Sequence, residues 1–236
     1  MSNNLSELEL SRINNISQHN LLALSLDGNM YEMPINNEFI SSELDELDTD
    51  ITSTVKIYDL DITDALNLEL EKDIYRQLCF NPTASLKTNV KSMMTGGWEN
   101  STIESFNVLK NIILENFSIY MNYDLGIKVR DHRNFFINEM WGAVYRSGGY
   151  TRWHDHLGNV CSFVYFLKAP ENSSTLDMSF WGIRDKRYDK GIVSVKPKVS
   201  RLIIFPASTR HKVDPYYGEE NRITVAGNIN KLLKGI

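Results

Sequence analysis

Two cysteines in 236 residues, Cys79 and Cys161, are too few and too far apart for a disulfide framework or a cysteine metal site. Both read as buried thiols. No apolar run approaches the roughly 18 residues of a membrane span, and the polar opening M-S-N-N-L-S lacks the layout of a signal peptide. The expectation is a soluble, cytoplasmic protein. Internal repeats and low-complexity tracts are missing too, so nothing points to a solenoid. Histidine is scarce, with five in the whole chain, yet two of them stand two residues apart.

What is present is an ordinary globular composition, 42% hydrophobic and 11% aromatic, in a chain long enough for one large domain with a substantial core. The net charge of −5 conceals an asymmetry. Residues 1–50 hold ten acidic residues against Arg12 alone, and the remainder carries 24 basic against 20 acidic residues. Long-range attraction to nucleic acid is therefore not favoured for the whole chain. Residues 184–201 carry seven basic residues against Asp185 and Asp189, which reads as a solvated hairpin. Docking of an acidic protein or a nucleic acid is its functional alternative.

Residues 1–54 read as an acidic N-terminal extension. Leu5, Leu8, Ile13 and Ile16 mark a weakly periodic helix, A-L-S-L-D-G-N-M-Y-E-M reads as a hairpin, and S-S-E-L-D-E-L-D-T-D as a solvated loop. The domain proper is expected over residues 55–236. V-K-I-Y-D-L alternates as a strand. Leu66, Leu70, Ile74 and Leu78 predict a helix ended by Asn81-Pro82. Ser101 or Thr102 is placed to cap a second, with Phe106, Leu109, Ile113 and Phe117 on one face. These stripes belong to packing.

From residue 134 the chain turns to β-rich runs separated by Gly, Pro, Asn and Asp: residues 134–145, 160–167, 175–181, 192–195, 201–206 and 222–229. Two helices followed by many short strands predict an α+β fold, with the helices packed on one side of a rolled sheet.

The chemistry concentrates in Y-R-S-G-G-Y-T-R-W-H-D-H, Tyr145 to His156. On an extended backbone, H-x-H spacing points His154 and His156 the same way. Two neutral imidazoles converging on one point suit a transition metal, and His211 in F-P-A-S-T-R-H-K-V is the candidate third ligand. A surface loop with one locally bonded histidine is the plainer reading of H-x-H alone. Asp155 would replace His156 as a ligand if the strand bulges, since strict alternation points it away. Arg222 and Thr224 share a strand face in R-I-T, and a guanidinium inside a barrel needs a carboxylate to grip. Tyr145 can offer a phenol to the same pocket. Trp141, Trp153 and Phe166 would serve as apolar walls or as core.

These motifs in this order resemble the iron(II)- and 2-oxoglutarate-dependent dioxygenases. G-G-W-E-N-S, W-G-A-V-Y-R-S-G-G-Y, H-D-H, S-F-V-Y-F-L-K-A-P, L-I-I-F-P-A-S-T-R-H-K-V and R-I-T-V-A-G-N-I are most similar to the branch with an H-x-H motif, near the prolyl-hydroxylase-like enzymes. The resemblance covers roughly Val55 to Ile229. It implies a double-stranded β-helix (jelly roll), Fe(II) held by His154, His156 and His211, and 2-oxoglutarate bound through Arg222, Thr224 and Tyr145. No catalytic residue beyond the metal ligands is implied. The implied reaction hydroxylates a C–H bond of a small-molecule or peptidyl substrate, with succinate and carbon dioxide as coproducts. Two departures stand out. His156 replaces the carboxylate of the familiar triad, and Phe166 falls where many relatives carry a tyrosine. A three-histidine dioxygenase that works without 2-oxoglutarate and a non-catalytic jelly-roll module are the rival readings, and oligomeric state stays open.

Overall fold

The computed structural model of the chain describes residues 22–24, 30–32, 55–80, 89–124, 134–179 and 192–231. The expected helix before residue 20, the acidic run at 41–50, the Asn81-Pro82 helix stop and the basic residues at 184–190 lie outside them. Both strands of the hairpin are there: β1 (Leu22–Leu24) pairs antiparallel with β2 (Met30–Glu32), while the D-G-N turn expected between them lies outside the described residues.

Two helices form where the apolar spacing predicts them. In α1 (Asp64–Phe80), Leu70 and Ile74 are fully buried; in α2 (Glu104–Ile119), Phe106, Leu109, Ile113 and Phe117 are. The cap of α2 differs from expectation. Ile103 occupies the capping position without a side-chain cap, and the Ser101 hydroxyl instead accepts the Ile103 N–H at 3.2 Å. Cys79 lies exposed near the end of α1, and only Cys161 is buried; both are free thiols. No described helix is long and apolar enough to cross a membrane.

Beyond this hairpin, the described strands make two antiparallel sheets. One has six strands in the order β3 (Lys56–Asp59), β11 (Arg201–Pro206), β8 (Cys161–Lys168), β13 (Arg222–Lys231), β6 (Phe135–Tyr145), β5 (Met93–Met94). The other has five: β10 (Ile192–Val195), β9 (Leu176–Ser179), β12 (Arg210–Tyr216), β7 (Gly149–His154), β4 (Val90–Lys91). Alternation divides the large sheet into two faces. Phe163, Tyr165, Leu202, Ile204, Ile223 and Val225 pack with α1 and α2 in one core. Val164, Phe166, Ile203 and Phe205 pack with Leu176, Met178, Val195 and Val213 of the small sheet in another. Both helices therefore back one face of the large sheet, as expected, while its other face looks onto the small sheet.

Candidate metal centre and anion pocket

Strand β6 of the large sheet passes into β7 of the small sheet through Arg146–Gly149. Gly148 turns there at φ 76°, a backbone conformation that costs glycine little, and its N–H donates to the Tyr216 carbonyl at 2.6 Å. His154 ends β7, and His211 sits directly across from it on β12. A bulge decides which way His154 points. Between the pairs His211/His154 and Val213/Thr151, β7 has one more residue than β12. Unbroken alternation would put Thr151 and His154 on opposite faces; the extra residue turns both inward. A compensating extra residue in β12 follows at Asp214-Pro215, where a proline is tolerated because the ladder is already interrupted.

His156 lies beyond the strand. Its N–H donates to the Ala207 carbonyl at 2.9 Å, and the backbone N–H of Asn159 donates to its own carbonyl at 3.2 Å. One candidate donor atom each from His154, His156 and His211 falls within 4.8 Å of the other two. The Nδ1 atoms of His154 and His211 lie 2.9 and 3.0 Å from the carbonyls of Arg152 and Thr209. A carbonyl accepts only, so it fixes the Nδ1–H tautomer and leaves Nε2 with its lone pair. His211 is 5% exposed, and burial, then the neighbouring His154, push its pKa down to about 3. It stays neutral and ready to coordinate across the ordinary pH range. Asp155 is not in the cluster; its Oδ1 accepts from the Leu157 N–H at 3.4 Å.

The other end of the same cavity is built by the inner face of β13 and β6. Arg222 is 1% exposed, and burial works against its charge. It lies over the rings of Tyr145 and Phe166 at 5.2 and 5.4 Å. Its Nη1 donates to the Ser174 carbonyl at 3.2 Å, whereas Nε is buried without a partner among the described residues. Among the described residues no carboxylate pairs with it. A guanidinium desolvated in this way is poised for an incoming anion. Tyr145 and Thr151 share a 2.9 Å hydrogen bond, and Thr224 is 3% exposed. All three histidines, Arg222, Thr224, Tyr145 and Trp141 line this one cavity.

Of the expected apolar walls, Trp141 lies 6.0 Å from the His156 ring and the Phe166 ring faces the Arg222 guanidinium at 5.4 Å. Trp153 is not a lining residue of the cavity; Lys212 covers its ring at 5.5 Å. Sequence reasoning missed Asn228, Ser162 and Ser174. Asn228 follows Arg222, Thr224 and Ala226 at even spacing on β13, which is the signal that would have found it.

Comparison with known proteins agrees with this geometry. Residues 139–228 match the family described as "Putative 2OG-Fe(II) oxygenase", a span holding all three histidines, Arg222 and Thr224. No curated protein matches the chain by sequence. Among solved structures, a Pseudomonas putida prolyl-4-hydroxylase superposes with TM-score 0.58 at 17% identity, over 77% of this chain and 93% of that one. A viral collagen prolyl hydroxylase from Paramecium Bursaria Chlorella virus-1, solved as a 2OG complex, gives 0.52 at 15%, over 74% and 94%. The α-ketoglutarate-dependent epimerase SnoN from nogalamycin biosynthesis gives 0.60 at 9%, over 75% and 77%. The chain shares their fold, and the resemblance to iron(II)- and 2-oxoglutarate-dependent oxygenases holds in both sequence and structure.

Proposed function

We propose that this chain is an Fe(II)- and 2-oxoglutarate-dependent oxygenase that hydroxylates a C–H bond, its two sheets forming a double-stranded β-helix. The observation that carries the reading is the pairing, in one cavity, of a three-histidine cluster with a buried guanidinium that has no acidic partner among the described residues. His154, His156 and His211 would hold the metal through neutral nitrogens, and three imidazoles suit iron(II) as a donor set. Arg222 and Thr224 would take the far carboxylate of 2-oxoglutarate, with Tyr145 beside them. When bound, the metal and cosubstrate supply the oxidising chemistry, coupled to release of succinate and carbon dioxide.

The chain's own share is positioning and dryness. The rings of Tyr145 and Phe166 beside the guanidinium keep water from it and limit its movement, so an entering carboxylate meets donors already in place. Phe166 has no hydroxyl, so the carboxylate depends on Arg222 and Thr224. The Nδ1 contacts of His154 and His211 aim both rings before any metal arrives. Residues 55–236 would form the oxygenase domain and 1–54 an extension to it. The substrate would be a small molecule or a peptide side chain, met in the cytoplasm.

The test is oxygen consumption and succinate release with Fe(II), ascorbate and 2-oxoglutarate. The reading expects uncoupled turnover in the wild type, with Arg222→Ala raising the 2-oxoglutarate requirement. Oxygen uptake without succinate would favour the three-histidine dioxygenase that binds its substrate directly. Failure to bind a divalent metal would favour a non-catalytic module.

A further inference from the structure

Tyr145 and Thr151 reach the anion end of the cavity from different sheets. Tyr145 ends β6 directly across from Arg222 of β13, and the guanidinium lies over its ring. Thr151 stands in β7, paired on one side with Val213 of β12 and on the other with Val90 of β4. The bulge that turns His154 inward also puts Thr151 on the cavity side, and ladders on both flanks hold its backbone in place.

The two hydroxyl oxygens lie 2.9 Å apart, and both residues are 7% exposed. Neither hydroxyl has another partner among the described residues. Each carries one hydrogen, and the bond between them uses only one of the two. A buried O–H is therefore left over, in the cavity that also holds the unpaired Nε of Arg222. Donors in excess at one end of a cavity call for a group that only accepts.

The chemistry of the two hydroxyls decides which hydrogen is left. A phenol is a more acidic donor than an aliphatic alcohol, and a carboxylate is a stronger acceptor than a phenol oxygen. The favoured order runs from the Thr151 hydroxyl to the Tyr145 oxygen, and from the Tyr145 hydroxyl to the carboxylate. Each bond in such a chain polarises the next.

We infer that Thr151 is a positioning residue for the cosubstrate: its hydroxyl donates to the Tyr145 oxygen and so aims the phenol O–H at the carboxylate that Arg222 grips. This rests on the proposed binding of 2-oxoglutarate. The role differs from a structural one because it acts only through Tyr145.

Calorimetric titration of the zinc(II)-loaded full chain with 2-oxoglutarate reads affinity without turnover. Thr151→Val keeps the branched shape and removes the hydroxyl, and should raise Kd about 3- to 10-fold. Thr151→Ser restores a hydroxyl and should bind as the wild type does. Tyr145→Phe should raise Kd about 10- to 100-fold, as loss of a hydrogen bond to a charged group does. Adding Thr151→Val to Tyr145→Phe should cost nothing more, because no phenol remains to be aimed. Thr151→Cys, whose thiol is a weak donor, carries the same test if Thr151→Val does not fold. A Thr151→Val loss that persists in full beside Tyr145→Phe would overturn the inference, as would wild-type affinity in folded Thr151→Val. Binding that depends on Arg222 but not on Thr151 would overturn the inference alone. A wild-type chain that binds no 2-oxoglutarate would overturn the proposed function with it.

Discussion

Adjacent residues of β13 do opposite work. Ile223, Val225 and Ile229 point toward the helices and are fully buried among apolar neighbours. Arg222, Thr224 and Asn228 point the other way and are just as buried, yet each carries polar groups. The helix-backed face gains its stability from apolar area removed from water. The inner face buries groups whose hydrogen bonding is complete only in part, and the exception is the buried Nε of Arg222. Burial alone does not distinguish core from site; the type of group buried does.

The comparison can be broken most severely at the cluster. His211→Ala should abolish succinate formation while the chain still folds, since the substitution leaves the helix-backed core untouched. Circular dichroism beside the turnover assay checks this, and retained turnover would remove His211 from the site.

The next effects come from neighbours on one strand. Ile223→Ala should destabilise folding by about 2–5 kcal/mol through lost transfer energy and an unfilled cavity, measured by urea denaturation. Its affinity for 2-oxoglutarate should be unchanged in the folded fraction. Arg222→Ala should reverse the pattern. It should raise the 2-oxoglutarate dissociation constant about 10- to 100-fold, the equivalent of losing about 1.5–3 kcal/mol of charge-assisted hydrogen bonding. Its stability cost should stay below that of Ile223→Ala, because an uncompensated buried charge leaves with it. Equal effects of the two substitutions on both readouts would erase the distinction between faces.

Acid sharpens the contrast further. Burial holds the His211 pKa at about 3 in the folded chain, below the ordinary value of 6.5. Above that ordinary value both states are neutral at this site and stability does not change. As pH falls from 6.5 toward 3, the unfolded chain takes up a proton that the folded one refuses, so metal-free stability declines. The loss should be of the order of a few kcal/mol, and His211→Asn should flatten it.

Much of this was legible beforehand. The helical stripes of α1 and α2, seven of the strands besides the β1–β2 hairpin, the H-x-H pair, His211 and the Arg222–Thr224 face all follow from side-chain period. Other features depend on pairing and left no mark in the residue pattern. The bulge that turns His154 inward is a property of β7 against β12, and nothing in T-R-W-H announces it. Strands β4 and β5 have two residues each, too short for any alternation to register. Strand β12 contains Pro215, which reads as a break until the bulge beside it is known. Even spacing puts Asn228 on the Arg222–Thr224 face, but its partners Glu139 and Ser162 are 89 and 66 residues away and meet it only in the folded sheet.

The central claim is that the histidines and Arg222 serve one bound keto acid in one cavity. Anaerobic titration of the iron(II)-loaded chain with 2-oxoglutarate, followed by visible absorption, tests it most directly. The account predicts a saturable charge-transfer band that is absent in His211→Ala and needs about 10- to 100-fold more 2-oxoglutarate in Arg222→Ala. No band at saturating metal and keto acid, or one indifferent to both substitutions, would contradict it.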